Sequence, residues 1–341
     1  MNPRADPVRL LSAVISMKSF VITKNDSGQR ADKFLLKAVP DMPKSYMYRQ
    51  IRKKNIKLNG GRCDIGKRLK ENDVIELYIN DCFFENSERE QDFLSAPAKL
   101  DIIYEDENII LTDKKPGLPV HSPDGEHTSD TLINRIKRYL YDKGEYSPEN
   151  ENSFAPALCN RIDRNTGGIV IAAKNAEALR LMNEKIKNRE IEKRYLCVTV
   201  GVPPKKQALL TAYIEKDSKT NTVKVTNTKT PRNKTAVTEY KILRENGKNA
   251  LLEVTLHTGR THQIRAHMAH IGYPLLGDGK YGSNKINREF NSEQPLKIKA
   301  QALYSYKLKF AFKVSGGALE KLNGREFTVP EVWFSGVFDG G

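Results

Sequence analysis

Apolar positions recur along the chain with two different spacings, and each spacing predicts an element. Near the N-terminus, Ala31, Phe34, Leu35 and Ala38 return every three or four residues, which predicts a helix that Pro40 stops. Met47 and Ile51 place the inner face of a second helix over 45–54. Ile56-Lys57-Leu58 alternates and then meets Asn59-Gly60, the pattern of a strand entering a tight hairpin. A further strand over 74–79 closes this block. From residue 98 onward strand-like and helix-like stretches alternate. A strand over 108–112 runs into the turn Lys115-Pro116-Gly117, and 168–174 is an apolar strand. Asn175 then caps a helix with Leu179, Met182 and Ile186 inward. Two more strands fall over 195–200 and 251–258.

Two stretches place polar side chains by their phase. Leu196, Val198 and Val200 share one strand face, which turns Tyr195 to the other. A helix opens near His262 with Ile264, Met268 and Ile271 inward and Gly272 at its C-terminal end. Arg265 lies beside that apolar stripe, so it should reach the edge of the core and pair with a carboxylate there. The fold class is α+β, with a mixed, largely antiparallel sheet and flanking helices. A length of 341 residues favours two domains. Their bounds are 17–80 and 98–338, joined by a polar linker over 81–97 that carries Glu85, Glu88, Glu90 and Asp92. Residues 1–16 read as a disordered extension, or as an over-long start ahead of Met17.

Charge adds a partner to this picture. Lys and Arg number 57 against 42 Asp and Glu, for a net charge of +15. That excess favours a polyanion, because each phosphate neutralised releases condensed counterions, although a merely soluble basic protein fits the bulk number equally well. The distribution separates the two readings. Between residues 44 and 70 ten Lys and Arg face a single acid, Asp64, and the second helix and the hairpin carry them together. Mean hydropathy is −0.59, which fits no membrane-spanning segment, and no strongly apolar amphipathic helix supports surface attachment. Cys63, Cys82, Cys159 and Cys197 are far apart and form no C-x-x-C, as expected of idle thiols in a reducing compartment. A cytoplasmic monomer without membrane contact is the expectation.

Candidate chemistry gathers in three segments. Asn160-Arg161-Ile162-Asp163-Arg164-Asn165-Thr166-Gly167-Gly168 puts a carboxylate between two guanidiniums in a glycine-rich turn before an apolar strand. An ordinary ion-paired turn is the bland account; an aspartate kept ionised as nucleophile or base is the functional one. Lys193-Arg194-Tyr195 brings an aromatic ring suited to stacking on a flipped base. Gly259-Arg260-Thr261-His262-Gln263-Ile264-Arg265-Ala266-His267 opens the last helix. Two other patterns carry less. Gly277-Asp278-Gly279-Lys280-Tyr281-Gly282 satisfies G-x-G-x-x-G, yet it follows a helix and not a strand, so a tight turn near the active site is the better reading. His257, His262, His267 and His270 cluster in sequence, but their spacings do not bring them to one face as zinc ligands.

Together the three segments resemble the RluA-type pseudouridine synthases. The family pattern H-R-L-D-R-x-T-S-G runs over Asn160 to Gly168, K-x-Y over Lys193 to Tyr195, and G-R-T-H-Q-I-R-x-H over Gly259 to His267. Asp113-Lys114-Lys115-Pro116-Gly117 is similar to the family's N-K-P-x-G turn. The chain departs from the pattern at Asn160, where His is usual, and at Gly167, where Ser is usual. The resemblance implies the pseudouridine synthase fold, with Asp163 as the essential aspartate. It implies that Tyr195 stacks on the uracil and helps remove its C5 proton, and that Arg265 forms the ion pair orienting Asp163. Arg161 fills the gap left by the flipped uridine, and Arg164, Arg260 and His262 join it in binding substrate. No metal or other cofactor is implied. The N-terminal block, with R-A-D-K-F-L and then R-K-K-N-I-K-L-N-G, resembles a small α/β RNA-binding domain first described in a small-subunit ribosomal protein. That likeness assigns RNA contacts to Arg49, Arg52, Lys53, Lys54, Lys57 and Arg62. Ribosomal RNA of the large subunit is the expected substrate, ahead of transfer RNA. An RNA methyltransferase would need a glycine loop for adenosylmethionine after a first strand, and none is found. A decayed, purely binding scaffold would have no reason to keep Asp163, Tyr195 and Arg265 together.

Overall fold

The computed structural model describes residues 16–85, 92–122, 128–217, 220, 222–293 and 296–338. The extension over 1–15 and the centre of the acidic linker lie outside these residues. The chain divides into two compact units. One runs up to Ser95 and takes Leu140–Pro156 with it; the other comprises Ala96–Tyr139 and Ala157–Gly341.

The first unit is a four-stranded antiparallel sheet with helices. Its elements are β1 (Met17–Val21), α1 (Ala31–Ala38), α2 (Lys44–Arg52), β2 (Ile56–Leu58), β3 (Gly61–Arg62), β4 (Val74–Tyr78) and the short α3 (Cys82–Glu85), and the strand order is β1-β4-β2-β3. Phe34, Leu35, Met47, Ile56, Ile75 and Leu77 are fully buried and form its core, as the helical and strand spacings require. Asn59 and Gly60 both adopt positive φ, 51° and 72°, the conformation a two-residue hairpin turn demands. Helix α2 stops two residues short of the predicted end. Lys54 takes φ 61°, its N–H bonds to the Ile51 carbonyl at 3.1 Å, and the Asn55 N–H bonds to Gln50 at 3.0 Å. This is a Schellman cap with lysine where glycine is usual. Strand β1 carries no burial alternation, with Met17 and Val21 more than half exposed, so only its pairing with β4 makes it a strand. The 140–156 excursion is fastened to this unit through Asp26, whose buried carboxylate accepts bonds from Asn152 Nδ2 at 2.7 Å and Ser153 Oγ at 2.5 Å.

The second unit is built on one sheet of 11 strands among the described residues. In chain order it contains β5 (Ile102–Glu105), β6 (Ile109–Lys114), α4 (Leu132–Asp142, which continues into the excursion), β7 (Ala157–Leu158), β8 (Gly167–Ala173) and α5 (Ala176–Lys187). Then come β9 (Ile191–Val200), β10 (Gln207–Asp217), β11 (Thr222–Thr226), β12 (Lys234–Glu245), β13 (Asn249–Leu256), α6 (Gln263–His270), α7 (Asn284–Glu293), β14 (Leu303–Phe310) and β15 (Glu326–Thr328). The main path runs β11-β10-β12-β13-β9-β14-β8-β6-β5, with β15 on β14 and β7 on β8. Every pairing is antiparallel except that of β14 with β8. Asn175 caps α5 as expected, accepting the Ala178 N–H at 2.8 Å, and Met182 is fully buried beneath it.

The parallel step fixes where a loop can sit. Gly167 and Gly168 lie directly against Tyr304 and Ser305 of β14. A Cβ on Gly167 would fall 2.2 Å from the Tyr304 ring, and one on Gly168 would fall 2.2 Å from the Ser305 carbonyl, with φ already at 114°. Only glycine allows this approach. The segment entering β8 is thereby held against β14, inside the sheet and away from its edge strands.

Candidate active site

The loop entering β8 carries Asp163, and hydrogen bonds on its inner side hold it in place. Asn160 Oδ1 accepts the Ile171 N–H at 2.8 Å, and the Cys159 N–H bonds to the Ile171 carbonyl at 2.8 Å. The carbonyl of Arg164 receives the Gly117 N–H at 2.9 Å and the Lys114 ammonium at 2.8 Å. Lys114 is 1% exposed and also donates to the carbonyls of Lys115 and Leu118, at 3.0 and 2.9 Å. Burial pulls its pKa down to about 7, against the pull of Asp163 and Asp113. Three carbonyls still match the three N–H bonds of the charged form, one more than a neutral amine could donate.

Helix α6 supplies the partner. Arg265 is 6% exposed and its Nη1 donates to Asp163 Oδ2 at 2.9 Å. Its other edge makes a two-pronged contact with Asp278: Nε to Oδ2 at 2.7 Å and Nη2 to Oδ1 at 2.9 Å. Asp278 is fully buried and takes further bonds from the N–H groups of Lys280 and Tyr281. Burial disfavours its charge, but Arg265 and these N–H groups outweigh that and hold the carboxyl below the usual range. Arg265 is in turn held charged despite burial, first by Asp278 and then by Asp163. Asp163 keeps about a quarter of its side chain open. One guanidinium therefore binds a sealed carboxylate and a reachable one.

The other predicted residues divide into those drawn to Asp163 and those placed elsewhere. His262, in the left-handed turn before α6, puts Nε2 3.8 Å from Asp163 Oδ2 and Nδ1 2.9 Å from the Tyr281 hydroxyl. Burial lowers its pKa. Tyr195 lines the same cavity of about 450 Å³ as Asp163, Arg265 and Arg161, on the strand face the alternation assigns to it. Burial pushes its phenol up to about 12. Arg161 and Arg164 are exposed and line an adjoining opening of about 1020 Å³, which also reaches Asp163. Arg260 stands at the cavity rim with Nε on the Thr235 carbonyl at 3.0 Å. In the first unit Arg49 lies over Tyr46 at 5.2 Å and Lys57 over Tyr78 at 4.9 Å. Arg52, Lys53, Lys54 and Arg62 are exposed there.

Two patterns that carried little weight in the sequence have definite places. The Gly277–Gly282 turn is the other half of the site, through Asp278 and through Tyr281, whose ring lies 5.3 Å from the Arg265 guanidinium. The four histidines meet four different partners: Glu239 for His257, Tyr281 for His262, Thr238 for His267 and Asn227 for His270. Among the described residues, no three His, Cys, Asp or Glu side chains gather into a metal-ligand group. Asp278, Tyr281 and Lys114 are the site residues that sequence reasoning did not single out. The signal for the first two was the glycine-flanked aspartate at 278. A buried lysine ahead of Pro116 left no such trace.

The family model described as RNA pseudouridylate synthase matches residues 108–270. An uncharacterized RNA pseudouridine synthase of Mycoplasma genitalium is 35% identical over 302 residues, covering 85% of this chain and 88% of that protein. The chain belongs to the RNA pseudouridine synthase family. Ribosomal large subunit pseudouridine synthase D of Escherichia coli K12 is 31% identical over 304 residues, 88% of each chain. The structure of human RNA pseudouridylate synthase domain containing 1 shares the synthase fold, with TM-score 0.52 at 19% identity over 69% of this chain and 84% of that one. The departures from the synthase pattern at Asn160 and Gly167 have physical accounts. Asn160 staples the backbone of the Asp163 loop to β8, and Gly167 clears the volume that the Tyr304 ring fills, with the Tyr304 hydroxyl donating to Asp113 at 2.6 Å.

Proposed function

We propose that this pseudouridine synthase acts on structured ribosomal RNA of the large subunit and uses Asp163 on a uridine flipped out of the RNA. The ion pair of Asp163 with Arg265 at 2.9 Å, opening on a cavity lined by Tyr195, carries the reading. A carboxylate anchored through one oxygen and reachable through the rest of its surface can serve as nucleophile or base. In the isomerisation the bond between N1 and C1′ breaks, the uracil turns in the cavity, and C5 bonds to C1′. The C5 proton leaves and N1 gains one, so the sum is redox-neutral. Tyr195 stacks on the uracil and its hydroxyl helps remove the C5 proton. Arg161 takes the vacated place in the RNA stack, while Arg164, Arg260 and His262 hold the substrate. Relatives that carry a large-subunit ribosomal name support that RNA as substrate.

The unit around residues 17–80 serves as an RNA grip through Arg49, Arg52, Lys53, Lys54, Lys57 and Arg62. Six cations on one helix end and hairpin bind phosphate without reading sequence.

The test is pseudouridine mapping of total RNA from cells with and without the gene, with Asp163→Asn returned to the deletion strain. Loss of pseudouridine at a large-subunit position, restored by the wild type and not by the variant, is the expected result. Full restoration by Asp163→Asn would remove Asp163 from the chemistry. Tyr195→Phe keeps the stacking ring and should bind RNA normally but turn over poorly; a wild-type rate would leave Tyr195 with stacking alone.

A further inference from the structure

A cation partly drawn out of water costs free energy that its surroundings must return, and half-buried Lys193 has no ion pair among the described residues to return it. It stands on β9 two residues before Tyr195, on the same side of the strand, and lines the Asp163 cavity. Burial holds its amine below the usual lysine range. Among the described residues no carboxylate pairs with it. Lys193 also lines a separate opening of about 730 Å³, which shares Ile186, Leu256, Gly259 and Arg260 with the cavity. It therefore stands where the two join.

Charge in that opening is sorted unevenly. Its three acids are all engaged: Glu192 with Arg194 at 2.5 Å, Glu239 with His257 at 3.1 Å, and Glu253 with the Tyr306 hydroxyl. Lys187, Arg189 and Lys241 line it too, exposed and, among the described residues, without an acidic partner. Arg189 adds an independent sign. It sits at φ 58° just past α5, its N–H bonded to the Ile186 carbonyl at 3.2 Å and that of Glu190 to Lys185 at 2.9 Å. Glycine is usual at this position of a helix end, and here a strained backbone is kept with a guanidinium on it.

The geometry points to a phosphodiester subsite: Lys193 with Arg260 takes the phosphate beside the flipped uridine, and Lys187, Arg189 and Lys241 carry the flanking strand. A base that enters the cavity from this opening to meet Tyr195 leaves its sugar-phosphate links in the opening, beside Lys193. The assignment rests on the reading that the base enters the Asp163 cavity.

The test uses the full chain and a large-subunit ribosomal RNA transcript that the wild type converts, with affinity and turnover measured across a salt titration. Lys193→Met should weaken binding by roughly three- to tenfold and reduce the slope of log affinity against log salt by about 0.7 to 0.9. Turnover at saturating RNA should stay within about twofold. The melting temperature should hold or rise, since an uncompensated cation is removed, and Lys193→Arg should restore the slope. Lys187→Gln with Arg189→Asn and Lys241→Gln should take roughly two further contacts from the slope. An unchanged slope in Lys193→Met overturns the subsite. So does a fall in turnover with an unchanged slope, which moves Lys193 onto the uracil. Asp163→Asn, run beside these, separates the two readings: its turnover bears on the catalytic assignment alone, and the Lys193 slope bears on the subsite alone.

Discussion

In the catalytic unit the decisive cation, Arg265, is 6% exposed and gripped by two carboxylates; in the N-terminal unit Arg52, Lys53 and Lys54 stand in water with no ion pair among the described residues. The difference is one of dielectric surroundings. A buried pair acts in a medium where charges are strong and any loss leaves an ion stranded, whereas exposed charges are weakened by water and screened within about 10 Å by salt. If Asp163 and Arg265 serve the chemistry and the N-terminal cations hold RNA, charge used for chemistry is scarce, paired and sealed on one side, and charge used to hold a polyanion is abundant and open. One substitution at the first place should outweigh several at the second.

The largest effect tests the reachable carboxylate against the sealed one. Asp163→Asn should cut turnover by roughly 10⁴-fold or more while unfolding free energy moves by at most about 1 kcal/mol, because a partly exposed carboxylate contributes little to stability. Asp278→Asn should behave in the opposite proportion. It takes from a buried guanidinium its two-pronged partner and leaves only the partly exposed Asp163, and should lower unfolding free energy by about 3 kcal/mol, with turnover falling as Arg265 shifts. Urea unfolding of the two variants makes the comparison, and equal stability losses would mean that the two carboxylates are not distinct. The pH dependence follows the same division. The folded pKa of Asp278 lies below its unfolded value, so its contribution is present above the unfolded value and lost as pH falls through the folded one. Asp278→Asn should therefore flatten the acid limb of stability.

How much of this was legible depended on whether a residue's role showed in its neighbours along the chain. Periodicity located α1, β2, β8, α5 and α6, and the offset of Arg265 from the α6 stripe placed it against a carboxylate. The same reasoning passed over β10, β12 and β14; β14 takes its register from β8 and β9, far away in sequence, whereas β12 pairs with β10 and β13, its near neighbours along the chain. Asp278 escaped because its role requires residues 265 and 278 to meet across a turn. The glycine pattern around it marked a tight turn near the active site and not a partner for Arg265. Lys114 escaped for a related reason: its partners are backbone carbonyls, which no side-chain pattern announces. The 140–156 excursion is polar on paper, and its fastening, at the buried Asp26 above all, lies in contacts with residues far away in sequence.

Lys114 sharpens the comparison from the buried side, with a smaller effect. Its pKa in the folded chain is about 7, against an ordinary value near 10.5, so between those limits the unfolded chain binds more protons than the folded one. Stability should therefore rise with pH across that window, and in Lys114→Met the rise should disappear. The variant also leaves the Lys115 and Leu118 carbonyls without this donor and loosens the Arg164 carbonyl, so turnover should fall by roughly tenfold. Thermal unfolding of both proteins from neutral to alkaline pH reads the first effect. A rise of equal size in both would show that the lysine titrates as it does in water.

The smallest effect belongs to the exposed cations, and the structure decides how to ask for it. Deleting residues 17–80 is a poor probe, because it removes the Asp26 carboxylate to which Asn152 and Ser153 are bonded and so disturbs the excursion. Substituting Arg52, Lys53 and Lys54 on the surface avoids that damage. Alanine is wrong at position 54, where φ is 61°, whereas asparagine tolerates the left-handed region. The variant is therefore Arg52→Gln with Lys53→Gln and Lys54→Asn. None of the three side chains lies in the core, so the melting temperature should move little. If all three meet phosphate, the slope of log affinity against log salt should fall by about 2 to 3. Turnover at saturating RNA should be unchanged, because the cavity of Asp163 is untouched. The loss of affinity should shrink as salt rises, since screening removes from the wild type what the substitutions remove from the variant. A variant that keeps the wild-type slope would leave this face a solvated surface and move RNA binding wholly to the catalytic unit.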